Sequence, residues 1–162
     1  MNTIEKIKQK YINYKKYIEY QDIIDLDTRK IIKGIIKISH KKLKNIINTK
    51  KKIILLNTNQ TFDEYLNIII KNKYSYFPVI HQNYIKGIIK AKDLLKYVYT
   101  KKKFFLYKIL KPVIIIPENK RVDLLFQKFG TEKHNNIAIL INKNAKISGI
   151  ITINDILKSI FD

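Results

Sequence analysis

Cysteine is absent from the chain, which excludes a disulfide framework and any thiolate metal site. Long apolar runs are absent too. None approaches the roughly 20 residues that span a bilayer, and the N-terminus lacks a signal-peptide core, so a soluble, cytoplasmic protein is expected. There is no glycine-rich phosphate loop and no nucleophile motif. His40, His81 and His134 lie far apart, without the helical or hairpin spacing of metal ligands. Together these absences argue against an enzyme and against a metal centre.

Acidic residues and arginine are scarce. The 33 basic residues outnumber 13 acids, giving a net charge of +20, yet only Arg29 and Arg121 are arginines. One reading is an anionic partner, either nucleic acid or a membrane surface. The other is codon drift, because Lys, Ile, Asn and Tyr are abundant together and share AT-rich codons. Selected base and phosphate readers favour the planar arginine fork, so drift is preferred. The charge still implies weak, salt-sensitive attraction to polyanions.

Hydrophobic residues make up 46% of the 162 positions, enough for a packed core in one domain or two closely packed half-domains. Along residues 1–21, Ile4, Ile7, Tyr11, Tyr14 and Ile18 form a helical stripe on a basic segment. Asp22, Asp25 and Asp27 precede a second stripe from Ile31 to Ile38. Helix N-capping explains these acids better than a cation site, since the Gly and distal Glu of a calcium loop are missing.

From there the chain repeats itself. Strands are expected at 53–56, 76–80 and 84–89. The helix between the first two is capped by Thr61 with Glu64, and another follows from Ala91 to Tyr99. Pro78 suggests an edge strand or a strand start. The second series has strands at 113–116, 137–141 and 147–152 and helices from about Arg121 and from Thr152. Ile53 and Phe62 match Val113 and Val122 at an offset of 60, whereas Gly87 and Asp93 match Gly149 and Asp155 at 62. The two extra residues are expected in the second hairpin turn, Asn142 to Ala145. The expected fold class is therefore mixed α/β. An N-terminal helical basic segment (1–42) precedes two strand-helix-strand-strand-helix units (43–103 and 104–162) that must pack together to cover their sheets.

Each unit ends on one pattern: Gly87-Ile-Ile-Lys-Ala-Lys-Asp-Leu-Leu95 and Gly149-Ile-Ile-Thr-Ile-Asn-Asp-Ile-Leu157. Thr152 and Asp155 read either as a plain capping box or as a nucleotide-pocket edge. A carboxylate at a first helical turn can accept both hydroxyls of a ribose cis-diol. Lys90 stands at the Thr152 position and cannot cap, though it could meet a phosphate.

The order of elements, with a Pro-Val strand, a hairpin and this closing pattern in each unit, resembles the CBS domain pair. Six stretches in order extend the likeness to the CorC/HlyC family of magnesium and cobalt efflux proteins. They are Asp25-Leu-Asp-Thr-Arg29, Asn59-Gln-Thr-Phe-Asp-Glu64, Phe77-Pro-Val-Ile80, Ala91-Lys-Asp-Leu-Leu95, Pro117-Glu-Asn-Lys-Arg-Val-Asp123 and Ile150-Ile-Thr-Ile-Asn-Asp-Ile-Leu157, and the resemblance covers about residues 22–162. The resemblance implies a cleft between the units that takes an adenine nucleotide, ATP or AMP, with or without magnesium. It implies one pocket at Thr152 and Asp155 with Thr49, Ile54, Tyr74, Ser75 and Phe77 near the ring. A degraded second pocket would lie at Lys90 and Asp93 with Ile114, Asn135 and Asn136. It further implies a homodimer and a membrane cation transporter as partner, with peripheral placement at the inner membrane. Family members continue into a small C-terminal domain, so a fragment or a reduced form is expected. The alternatives are a basic protein that binds RNA, ribosomes or a membrane surface on the same scaffold, and a structural dimer with silent pockets.

Overall fold

A computed structural model describes residues 25–47, 52–100, 102–132 and 136–161, together with Gln9 and Asn13. The stripe expected along 1–21 therefore lies almost wholly outside the described residues. The first described helix, α1, runs Leu26–Ser39. Asp25 caps it as expected, with Oδ1 accepting the backbone N–H groups of Asp27 (3.0 Å) and Thr28 (2.9 Å).

The two units are built alike. The first contains β1 (Leu56–Asn57), α2 (Phe62–Asn72), β2 (Tyr76–His81), β3 (Tyr84–Lys90) and α3 (Ala91–Thr100). The second contains β4 (Ile114–Pro117), α4 (Val122–Thr131), β5 (Ile137–Ile141), β6 (Ile147–Thr152) and α5 (Ile153–Lys158). Each sheet has three strands, parallel between its first two and antiparallel across its hairpin. Both carry a register shift at the same place, after Val79 in one and after Leu140 in the other. The mixed α/β fold and its repeat thus stand as expected.

Three local expectations change. Val79 pairs with Gly87 and Leu140 with Gly149, so the offset is already 61 at the second strand and 62 at the third. One extra residue therefore lies between α4 and β5, and only the other lies in the hairpin turn. The strand expected at 53–56 shrinks to Leu56–Asn57. Pro78 supplies the reason. In β2 the even-numbered residues face β1, as the bond from Thr58 N–H to the Ile80 carbonyl shows (3.0 Å). At Pro78 the position that would donate to the Ile54 carbonyl has no N–H, and the ladder stops. The second unit has Ile139 there and keeps a four-residue β4. Pro78 thus sits in a central strand, but at the point where its β1 side is still an edge.

The cores are exchanged between units. Ile38 and Leu43 are buried with Ile116, Leu125, Leu140 and Ile151 of the second unit, and Ile46 and Ile47 pack onto the same cluster. Conversely, Phe104, Leu106, Ile109 and Leu110 cover Leu56, Tyr65, Phe77 and Leu94 of the first. Phe104 stacks against Phe62, Tyr65 and Tyr97 at ring separations of 5.1, 6.0 and 5.5 Å. Each lead-in segment therefore completes the other unit's core. Backbone bonds pin both crossings: Leu43 N–H to Lys120 (2.9 Å), Lys44 N–H to Glu118 (2.9 Å), and a reciprocal pair between Ile88 and Lys111 (2.9 Å each). A three-stranded sheet with two short helices leaves apolar surface bare, and the exchange closes it.

The candidate nucleotide pocket

The glycines at the start of the two closing patterns are explained by these crossings. Gly87 has φ +152°, and a Cβ there would overlap the Lys111 carbonyl. A Cβ on Gly149 would lie 2.7 Å from Ile47 Cδ1. The patterns therefore begin where a foreign segment presses on the sheet.

At the end of β6, Thr152 and Asp155 form a complete capping box. Thr152 Oγ1 accepts Asp155 N–H (3.2 Å), while Asp155 Oδ2 accepts Thr152 N–H (2.8 Å) and its hydroxyl (2.7 Å). Asp155 is half-buried. Its Oδ1 takes none of these bonds and remains an acceptor held in a fixed direction. The first helical N–H, from Ile153, donates to the Asn136 carbonyl (2.9 Å).

The first unit keeps the backbone and changes the chemistry. Ala91 N–H donates to the Ser75 carbonyl (3.0 Å), in the same way as Ile153 to Asn136. Lys90, in place of Thr152, extends its Nζ to 5.8 Å from the centre of the Tyr76 ring. Asp93, freed from capping, is held by two lysines: Lys111 Nζ lies 3.1 Å from Oδ2 and Lys96 Nζ 3.5 Å from Oδ1. The Lys111 contact is a charge pairing off the hydrogen-bond line, because Oδ2 is buried without an aligned donor. Burial pushes the Asp93 pKa up, but the two ammonium groups outweigh burial and hold it below the usual carboxylate value.

The remaining expected residues fall into three groups. Thr49 and Asn135 lie outside the described residues. Ile54 packs against the first core, and Ile114 is buried in the second. The exposed apolar side chains lie one residue later in each unit, at Leu55 and Ile115. Phe77 is fully buried. It supports the exposed Tyr74 ring at 6.3 Å and presents no free face itself. Ser75 and Asn136 are exposed beside the helix starts of their own units. Sequence reasoning missed Lys111, which is 18 positions from Asp93 and reaches it only because the second unit's lead-in crosses over. Ile115 was legible in the alternation of β4.

Among the described residues no group of three or more His, Asp or Glu could hold a metal ion. No helix among them is long and apolar enough to cross a membrane.

Two units with exchanged lead-in segments, each closing on a Gly-to-Asp strand-helix junction, define a tandem pair of small α/β modules. The CBS domain family model matches residues 43–100 and 107–162, and the chain belongs to that family. It is similar to the magnesium and cobalt efflux protein CorC of Escherichia coli K12, with 37% identity over 142 residues. The match takes in 86% of this chain and 48% of CorC, so the chain spans about half the length of that relative. Among solved structures, a conserved domain of unknown function from Neisseria meningitidis MC58 superposes with a TM-score of 0.69 at 29% identity, covering 91% of this chain and 97% of that one. The CBS domain of a bacterial CNNM/CorC family magnesium transporter in complex with ATP shares the fold at a TM-score of 0.70 and 21% identity, covering 83% and 97%.

Proposed function

We propose that this CBS pair is a regulatory, non-catalytic module that senses an adenine nucleotide and through it tunes magnesium or cobalt export by a membrane transporter. The observation that carries this reading is the Thr152–Asp155 box: it fixes a half-buried carboxylate with Oδ1 open. A ribose cis-diol donates two hydrogen bonds, and an ionised carboxylate held in place accepts them without further ordering. The exposed Tyr74 ring and Leu55 would take the adenine. Lysines such as Lys90 would meet the phosphates, with magnesium entering as the nucleotide's counterion. The similarity to CorC and the ATP complex of a related fold support the nucleotide and the transport context.

Dimerisation through the helices belongs to the same proposal. Leu95 and Leu157, and likewise Tyr99 and Phe161, occupy matching exposed positions at the ends of the two units. A nucleotide that binds one packing of the dimer better than another would shift that equilibrium.

Calorimetric titration with ATP, ADP and AMP, with and without magnesium, tests the reading. Ligand at about 100 times its Kd should stabilise the fold by about 2.7 kcal/mol. Asp155→Ala should remove that shift, and Asp93→Ala should leave most of it. No shift at millimolar nucleotide would refute the pocket. The net charge of +20 favours polyanion binding as a second reading, which would show steep salt dependence and survive Asp155→Ala.

A further inference from the structure

The outer side of β4 forms a groove. A cavity of about 520 Å³ runs between β4 and α4, lined among others by Ile115, Ile116, Pro117, Lys120, Leu124 and Lys128. Strand β4 is the last strand of its sheet, with β5 as its sole strand neighbour among the described residues. In a parallel ladder, alternate residues turn both backbone groups to the same side. Glu118 N–H donates to the Ile141 carbonyl (2.9 Å), so the even-numbered residues face β5. Ile115 therefore turns its N–H and C=O outward along the groove.

Leu124 occupies the place of Glu64, whose carboxylate closes the capping box of α2. Helix α4 starts at Arg121 with no side-chain cap, and Leu124 is instead 41% exposed. The second unit has thus given up a cap, typically worth about 1 kcal/mol, and shows an apolar side chain to solvent. Ile115 beside it is 44% exposed. The polar rim is basic, with Lys120 and Lys128 on it and no carboxylate among the lining residues.

We infer that this groove is a docking site for an extended acidic peptide of a partner protein, added as a further strand along β4. The outward groups of Ile115 bond its backbone. The pocket over Ile116 and Leu124 takes an apolar side chain, and Lys120 and Lys128 pair with flanking carboxylates. Pro117 has no N–H, which ends the added ladder after a short stretch and limits self-pairing of the edge.

The test is fluorescence anisotropy of the full chain with a labelled short peptide alternating glutamate with valine and leucine, at physiological salt. A copy N-methylated at every non-terminal backbone nitrogen keeps the charge and the side chains but loses its ladder donors on both edges. The unmodified peptide should bind at least about tenfold tighter than the methylated one. Leu124→Glu, which restores the first unit's own residue, should weaken binding by about tenfold or more, as should Ile115→Thr and the double reversal Lys120→Glu with Lys128→Glu. Equal affinity for both peptides would reduce the effect to bulk charge and overturn the inference. So would unchanged binding by Leu124→Glu and Ile115→Thr. Failure of the peptide to bind, together with loss of a concentration-dependent dimer in Leu124→Glu, would assign the groove to a second copy of the chain and overturn it likewise.

Discussion

Lys111 Nζ lies 3.1 Å from Asp93 Oδ2, and this contact joins the second unit's lead-in segment to the first unit's closing helix. At the equivalent place in the second unit, Asp155 spends its Oδ2 on its own Thr152. Two carboxylates at matching positions are thus held by different means, one by a charge from afar and one by a local cap. Position 90 carries Lys where position 152 carries Thr, so Asp93 has no hydroxyl to cap with and is met by Lys111 and Lys96 instead.

Removing the distant charge gives a pH-dependent loss. In Lys111→Met, burial acts on Asp93 with only Lys96 to oppose it, so its pKa should rise. In the native chain the folded-state pKa is lowered. Its contribution is therefore complete above the unfolded carboxylate value near 3.9 and is lost as pH falls through the lower folded value. The variant should be up to about 1 kcal/mol less stable at pH 7, and the difference should shrink as pH falls below the carboxylate range. Urea unfolding at the two pH values, with an NMR titration of the Asp93 carboxyl, checks both sign and window.

Alanine at the two pattern glycines should act unequally. Gly87→Ala meets a positive φ and a backbone carbonyl, neither of which can yield, and should cost at least about 2 kcal/mol. Gly149→Ala meets the far end of the Ile47 side chain, which can turn away, so about 1 kcal/mol is expected. Thermal denaturation of the two variants side by side tests the ranking. Equal losses would mean that the Ile47 contact is as rigid as the Lys111 backbone.

The capping box predicts a local cost separate from any ligand. Thr152→Ala should lower stability by about 1 kcal/mol, since Asp155 N–H loses its acceptor and Asp155 Oδ2 loses a hydroxyl donor. Hydrogen exchange should rise mainly in α5. A loss confined to nucleotide affinity, with exchange unchanged, would show that the cap is not structural.

Gly130, near the end of α4, has nothing within 4 Å of where a Cβ would sit. Gly130→Ala should therefore stabilise the chain, by up to about 0.5–1 kcal/mol, through the reduced entropy of the unfolded state. A higher urea midpoint at unchanged slope is the expected readout.

The sequence by itself determined the order of elements and the caps, which depend on near neighbours. The two strand-helix-strand-strand-helix units, the Asp25 and Thr61 caps and the Thr152–Asp155 box were legible because period, cap and turn act over a few residues. The exposed side of Ile115 was likewise written in the alternation of β4. The tertiary structure alone decided that Leu43 belongs to the second core and Phe104 to the first, and that Lys111 answers Asp93. It also gave the reason for Gly87, which lies under a carbonyl 24 positions away. These relations join segments whose separation in the chain is closed only when both sheets bury their bare faces, and no local period encodes which segment does the covering.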